Sequence, residues 1–122
     1  MHELSVALRI REVLETELAG DGVEVDLVRI EVGALANIVP EALEFAWPHA
    51  VSDSTLLGAS KIEIDWVEAR LRCADCSATH TTPNLTSLRC PVCRSGRVEV
   101  IEGEQMDIID VDVRERSTAG PP

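Results

Sequence analysis

The sequence predicts an α+β fold: a small three-stranded sheet packed by two helices, with a four-cysteine, zinc-ribbon-like module inserted between two strands. Three observations carry this. Apolar residues recur at helical spacing near the start of the chain and again after residue 40, and they alternate in three other stretches. All four cysteines form two Cys-x-x-Cys pairs, Cys73/Cys76 and Cys90/Cys93, separated by residues 77–89. The 122 residues suffice for one compact domain with a small stapled insert.

From Glu3 to Leu18 the residues Leu4, Ala7, Ile10, Leu14 and Leu18, flanked by Val6 and Val13, line one helical face, with Arg9, Arg11, Glu12, Glu15 and Glu17 mostly opposite. Gly20-Asp21-Gly22 ends this helix. Between Val23 and Val32 the apolar phase slips by one at Leu27/Val28, which predicts a bulge in an otherwise regular strand. Residues 33–37 read as a loop, and Pro40-Glu41 opens a second helix, because proline is tolerated in a first turn. Pro48 is expected to kink or end it. Ile62, Ile64 and Trp66 alternate with charged residues in a strand that leads into the cysteine module. Met106 to Val113 is the third main strand, its apolar residues set against Asp107, Asp110 and Asp112.

The expected division is therefore residues 1–68 as the first part of the main domain, 69–99 as the metal module, 100–113 as the return strand and 114–122 as a disordered tail with nothing to bury. The only aromatics are Phe45, Trp47 and Trp66, so the core must be mainly aliphatic. No apolar run approaches the roughly 20 residues that span a bilayer.

Two facing Cys-x-x-Cys turns close a tetrahedral sulfur cage of the kind Zn2+ prefers. Disulfides would need an oxidising compartment, and Met1-His2-Glu3-Leu4-Ser5 lacks the features of a secretory signal, so a cytoplasmic address is expected. Iron is the residual alternative, since Cys90-Pro91-Val92-Cys93 also suits an iron-sulfur carrier, but no aromatic lies between the pairs to wall off a redox centre.

The net charge of -11 argues against nucleic-acid and anionic-membrane partners. Between residues 69 and 98 the balance inverts: five arginines (Arg70, Arg72, Arg89, Arg94 and Arg97) face only Asp75, a local +4 that a Zn2+ held by four thiolates reduces to about +2. With no aromatic in the module for base stacking and an acidic body behind it, nucleic acid is not an expected partner. Catalysis has little support, because the chain has no Gly-rich phosphate loop and no Gly-x-Ser-x-Gly elbow, and its three histidines are scattered. His80 is expected as solvated surface, since four cysteines already complete a tetrahedron, and His49 as a surface or capping residue at a helix end.

A histidine at a chain end is ordinarily solvated and without a role. At position 2, however, its imidazole, its backbone nitrogen and the amine of Met1 can chelate one ion, a planar nitrogen set that suits Ni2+ or Cu2+. Glu3 could add an oxygen, or simply complement the positive end of the first helix.

Met1-His2-Glu3-Leu4-Ser5, Gly33-Ala34-Leu35-Ala36, the stretch from Pro40 to Ala46, Thr55 with Leu57-Gly58-Ala59, and the two cysteine pairs together resemble the HypA/HybF hydrogenase-maturation nickel metallochaperones, in register from Met1 to about Val113. The resemblance implies a non-enzymatic carrier that binds a transferable Ni2+ through Met1, His2 and Glu3 and a structural Zn2+ through Cys73, Cys76, Cys90 and Cys93. It further implies delivery to the [NiFe]-hydrogenase large subunit with a HypB-type GTPase, a role in urease maturation in some organisms, and a monomer or homodimer. Two departures from the family pattern are Pro48, where the second helix usually continues, and Gln105, where a glutamate often precedes the last strand. A zinc-ribbon interaction module without nickel function is the alternative reading, and an iron-binding electron carrier the next.

Overall fold

The computed structural model describes residues 2–82 and 89–116. Along the chain lie α1 (His2–Glu17), β1 (Val23–Gly33), α2 (Pro40–Val51), β2 (Lys61–Val67), β3 (Ala69–Cys73), β4 (Thr79–Thr82), β5 (Val98–Glu102) and β6 (Met106–Glu115). They build two three-stranded sheets, ordered β2-β1-β6 and β4-β3-β5. The chain divides into two compact units, one from residues 1–30, 39–63 and 108–122, the other from residues 31–38 and 64–107. The expected α+β architecture with a cysteine-bearing insert is thus present, and the insert carries a sheet of its own.

In the first unit α1 buries Ala7, Ile10 and Leu14, the middle of the stripe seen in the sequence. Val25, Val28 and Ile30 are fully buried, so the interval of three between Val25 and Val28 is the phase slip expected at Leu27/Val28. The helices meet in the same order along their lengths. Val39 donates to Glu3 at 3.1 Å, Arg11 donates to the Ala50 carbonyl at 2.9 Å and Asp53 at 2.5 Å, and Ser54 donates to Glu15 at 2.8 Å. Of the three aromatics only Trp47 is fully buried, its indole N–H donating to Ser60 at 3.1 Å, whereas Phe45 is 75% exposed.

Of the two outcomes expected at Pro48, a kink or an end, the end does not occur, and α2 continues to Val51. Proline removes its own N–H, which would have bonded the carbonyl of Glu44, yet both residues lie on the exposed side of the helix, where water can satisfy that carbonyl. On the inner side Trp47, Ala50 and Val51 are buried and hold the last turn in place. His49 therefore sits within that turn, its ring against Phe45 with centroids 5.3 Å apart.

The acidic residues of β6 have a partner that composition hid. Arg29 on β1 donates to Asp110 at 2.7 Å and to Asp112 at 3.1 and 2.9 Å, and Arg114 bonds Asp26 and Glu24 at 2.8 and 2.9 Å. These carboxylates hold both guanidinium groups above their ordinary pKa, chiefly through the hydrogen bonds that Arg29 donates to Asp112 and Arg114 donates to Asp26. Exposed pairs of this kind add little stability singly, but together they match the charges across the strand pair. β6 runs to Glu115, and the Arg116 N–H donates to the Gly22 carbonyl at 2.8 Å. The disordered tail expected from residue 114 is corrected at its start, where Arg114 and Glu115 extend β6 and Arg114 pairs by charge with β1, and residues 117–122 lie outside the described residues.

In the second unit β3 is the central strand. It pairs antiparallel with β4, Leu71 opposite His80, and with β5, Cys73 opposite Val98. Ala69, Leu71 and Cys73 are buried while Arg70 and Arg72 point outward, the period-two pattern of a half-buried strand. The turn into β6 depends on Gly103, whose φ of +118° favours glycine and whose added Cβ would lie 2.7 Å from the Ala69 Cα. Gln105 closes this turn, its carboxamide oxygen accepting the Gly103 N–H at 2.6 Å, so the departure from glutamate keeps an oxygen acceptor there.

Candidate metal centres

β3 delivers the first cysteine pair directly: the strand ends at Cys73, and the chain turns through residues 74–76. In this first knuckle the Ser77 N–H donates to the Cys73 carbonyl at 3.0 Å and the Cys73 N–H to Ala78 at 2.8 Å. The second knuckle repeats both bonds at the same offsets, Arg94 to Cys90 at 2.8 Å and Cys90 to Ser95 at 3.0 Å. Ser77 and Arg94, the residues just after each pair, share a left-handed backbone, with φ of 65° and 63°. The two knuckles are local copies, and each aims two sulfurs the same way.

The four sulfurs all lie within 4.8 Å of one another, with Cys73–Cys93 and Cys76–Cys90 both 3.5 Å apart. A zinc–sulfur bond of about 2.3 Å sets tetrahedral sulfurs about 3.8 Å apart, so the donor set fits Zn2+. The electrostatics of the cluster also suit a cation. Backbone N–H groups, first that of Cys76, hold the Cys73 thiol below the ordinary range, and those of Cys93 and Val92 lower Cys90 to about 6. The second cysteine of each knuckle moves the other way. At Cys76 the Ala78 N–H lowers the value, but Cys90 and burial outweigh it, and at Cys93 Cys73 and burial outweigh the Ser95 N–H and push it up to about 12. Like charges at this distance cannot all ionise, and a divalent cation removes that conflict.

Around the sulfurs, Asp75 and Cys76 direct their N–H groups to the Cys73 sulfur, each at 3.4 Å. The Asp75 carboxylate accepts from the Ser95 hydroxyl and, at 3.0 Å, from Arg97. Sequence spacing gave no sign of this link across 20 residues. His80 is not among the converging donors. Nor is it solvated as expected: it is half-buried on β4, and both its ring nitrogens are shielded and unpartnered among the described residues.

At the other candidate centre, His2 opens α1 with its side chain 55% exposed, and its Nδ1 lies 3.8 Å from Glu3 Oε2. Glu3, only 18% exposed at its side chain, accepts the Val39 N–H at the mouth of α2, where no capping side chain is supplied locally. That bond, with the charge of His2 a smaller cause, holds Glu3 below the usual carboxylate range. Met1, the third expected ligand, lies outside the described residues.

A pH prediction follows. Because the folded pKa of Glu3 is depressed, its contact with Val39 contributes fully above the ordinary carboxylate range and is lost as pH falls through the folded value. The Val39 amide resonance should therefore hold steady from pH 7 to about 5 and shift only in stronger acid. In Glu3→Gln the shift should be absent.

These features define a small α+β metal-handling protein, with a four-cysteine centre whose sulfurs converge and an exposed His2 beside Glu3 at the start of α1. The family model described as HypA, hydrogenase/urease nickel incorporation metallochaperone, matches residues 1–113. Among similar proteins, the hydrogenase maturation factor HypA of Streptomyces avermitilis is 36% identical over 113 residues, 91% of this chain and 86% of that one. That of Moorella thermoacetica is 35% identical over 109 residues, covering 88% and 95%. The solution structure of the Ni metallochaperone HypA from Helicobacter pylori shares the fold, with a TM-score of 0.63 at 19% identity over 90% of this chain and 95% of that one. This chain belongs to the HypA family of nickel metallochaperones, which is not an enzyme family. That membership favours nickel handling over a plain zinc ribbon or an electron carrier, and nickel and zinc over iron.

Proposed function

We propose that the chain carries Ni2+ on Met1, His2 and Glu3 and transfers it, with a HypB-type GTPase, to the [NiFe]-hydrogenase large subunit, while Cys73, Cys76, Cys90 and Cys93 hold a structural Zn2+. The exposed His2 imidazole beside the Glu3 carboxylate at the start of α1 is the observation that carries this reading. The first N–H groups of a helix have no intrahelical acceptor, so the His2 backbone nitrogen can serve a metal without breaking a helix bond. The same placement sets a cation against the positive end of the helix dipole, which weakens its hold by about 0.3–1 kcal/mol and favours release. The reading places the chain in the cytoplasm, where thiols stay reduced. Among the described residues no helix is long and apolar enough to cross a membrane.

A transfer assay tests it. Nickel-loaded chain is mixed with immature large subunit, the GTPase and GTP, the proteins are separated, and nickel in the large subunit is measured. The parent should deliver most of its nickel and His2→Ala only background, whereas equal delivery by the two would overturn the reading.

A further inference from the structure

Asp75 occupies a position that spacing alone would dismiss, one of two residues inside the first cysteine pair. Its backbone N–H points to the Cys73 sulfur at 3.4 Å, and its carboxylate reaches residues just beyond the second pair. The Ser95 hydroxyl donates to one carboxylate oxygen and Arg97 Nη1 to the other at 3.0 Å. Ser95 is in turn tied to the second knuckle, because its carbonyl accepts the Cys90 N–H at 3.0 Å. A continuous path therefore runs from one buried sulfur to the backbone of the other buried cysteine: Cys73 Sγ, Asp75, Ser95, Cys90. A second bond runs beside it, from the Ala74 N–H to the Arg97 carbonyl at 2.8 Å.

We infer that Asp75 is a positioning residue for the zinc centre, a latch that keeps the two knuckles closed and sets how slowly the metal escapes. The inference rests on the zinc reading of the four-cysteine centre and extends it from ligands to kinetics. Zinc held by four thiolates leaves stepwise, and a chelator gains access only when one knuckle swings away from the other. The Asp75–Ser95 contact opposes that motion directly, because it joins the knuckles by side chains, independently of the metal. The Arg97 partner matters less: its side chain is 77% exposed, and an ion pair so placed is screened by salt. The hydroxyl bond is therefore the working part of the latch. Groups that orient metal ligands from outside the coordination sphere typically change metal affinity by about 10–100-fold when removed.

The test uses the full chain reconstituted with one equivalent of Zn2+, with release to a chromogenic chelator followed in time. Asp75→Ala should release zinc at least about tenfold faster than the parent. Asp75→Asn, which keeps an oxygen for Ser95, should restore most of the retention, and high salt should leave the parent rate within about twofold. Ser95→Ala should accelerate release, and combining it with Asp75→Ala should add little, since both break the same bond. A merely structural role would instead give independent effects and a matching loss of amide protection in β3, β4 and β5 of the zinc-loaded chain. An Asp75→Ala rate within twofold of the parent, or effects of Asp75→Ala and Ser95→Ala that simply multiply, would overturn the latch. A parent that takes up no zinc would overturn the zinc centre, and the latch with it.

Discussion

Replacing Cys90 by serine is expected to empty the cysteine centre and unfold the second unit while α1 and α2 stay folded. Cys90 is fully buried, and the N–H groups of Cys93 and Val92 lower its thiol to about 6, which favours the thiolate that a metal binds. A serine hydroxyl keeps the shape but supplies no comparable anion, so three sulfurs must hold the ion with a weak fourth donor. The consequence is large because the second unit has little else. Its fully buried side chains come chiefly from one face of β3, Ala69, Leu71 and Cys73, with Cys90 and Val32. Structural zinc contributes about 10–16 kcal/mol in small modules, comparable to or larger than the roughly 5–15 kcal/mol by which a whole domain is stable. The first unit has its own core of Ile10, Leu14, Val28, Ile30, Leu43, Trp47 and Leu57. Metal analysis should find zinc falling from about one equivalent to a small fraction, and hydrogen exchange should show β3, β4 and β5 unprotected beside protected helices. Loss of protection in both units together would show one cooperative fold and contradict the insert picture. Cys76→Ser should behave in the same way, because the cage needs all four sulfurs.

What the sequence disclosed and what it concealed divide along the range of the interactions. The stripe of α1 and the phase slip of β1 are local periodicities, and Ala7, Ile10, Leu14, Val25, Val28 and Ile30 are buried as that periodicity requires. The cysteine pairs were legible for a related reason, since a four-residue turn by itself brings two sulfurs together. The sheet of the second unit was not. β4 is Thr-His-Thr-Thr, with no apolar alternation to detect, and β3 has five residues with arginines between its buried positions. At Pro48 the sequence showed the bond that a proline removes but not the packing of Trp47, Ala50 and Val51, with which the helix runs on to Val51. Hydrogen bonds between distant residues were invisible altogether: Glu3 to Val39 is 36 residues apart and Ser95 to Asp75 is 20. At the N-terminus the residue types pointed to a metal, but only the structure shows the Glu3 carboxylate already engaged. A metal that recruits Glu3 must share that oxygen with the Val39 N–H or use the other one.

His2→Ala should abolish specific nickel binding and leave zinc content and fold untouched. The side chain is more than half exposed and packs in no core, so its removal costs little stability, within about 0.5 kcal/mol for a surface change of this kind. Its loss from the proposed ligand set is severe. Without the imidazole the ion keeps the Met1 amine, one backbone nitrogen and a carboxylate held by Val39, and calorimetry should report at least about a hundredfold weaker binding, which is about 2.7 kcal/mol. One extra residue ahead of Met1 is the more incisive change. It preserves every side chain, yet it converts the Met1 amine into an amide and moves the new amine out of the chelate ring. Nickel affinity should therefore fall about as far as in His2→Ala, and the combined variant little further, because both remove parts of one chelate. Proton competition gives an independent check: amine and imidazole nitrogens bind nickel only when deprotonated, so affinity should decline steadily from pH 8 to pH 6. Glu3, whose value is depressed, stays ionised throughout that window and contributes nothing to the slope. If nickel still binds the extended chain and His2→Ala with parental affinity, the ion sits elsewhere and the N-terminal assignment is wrong.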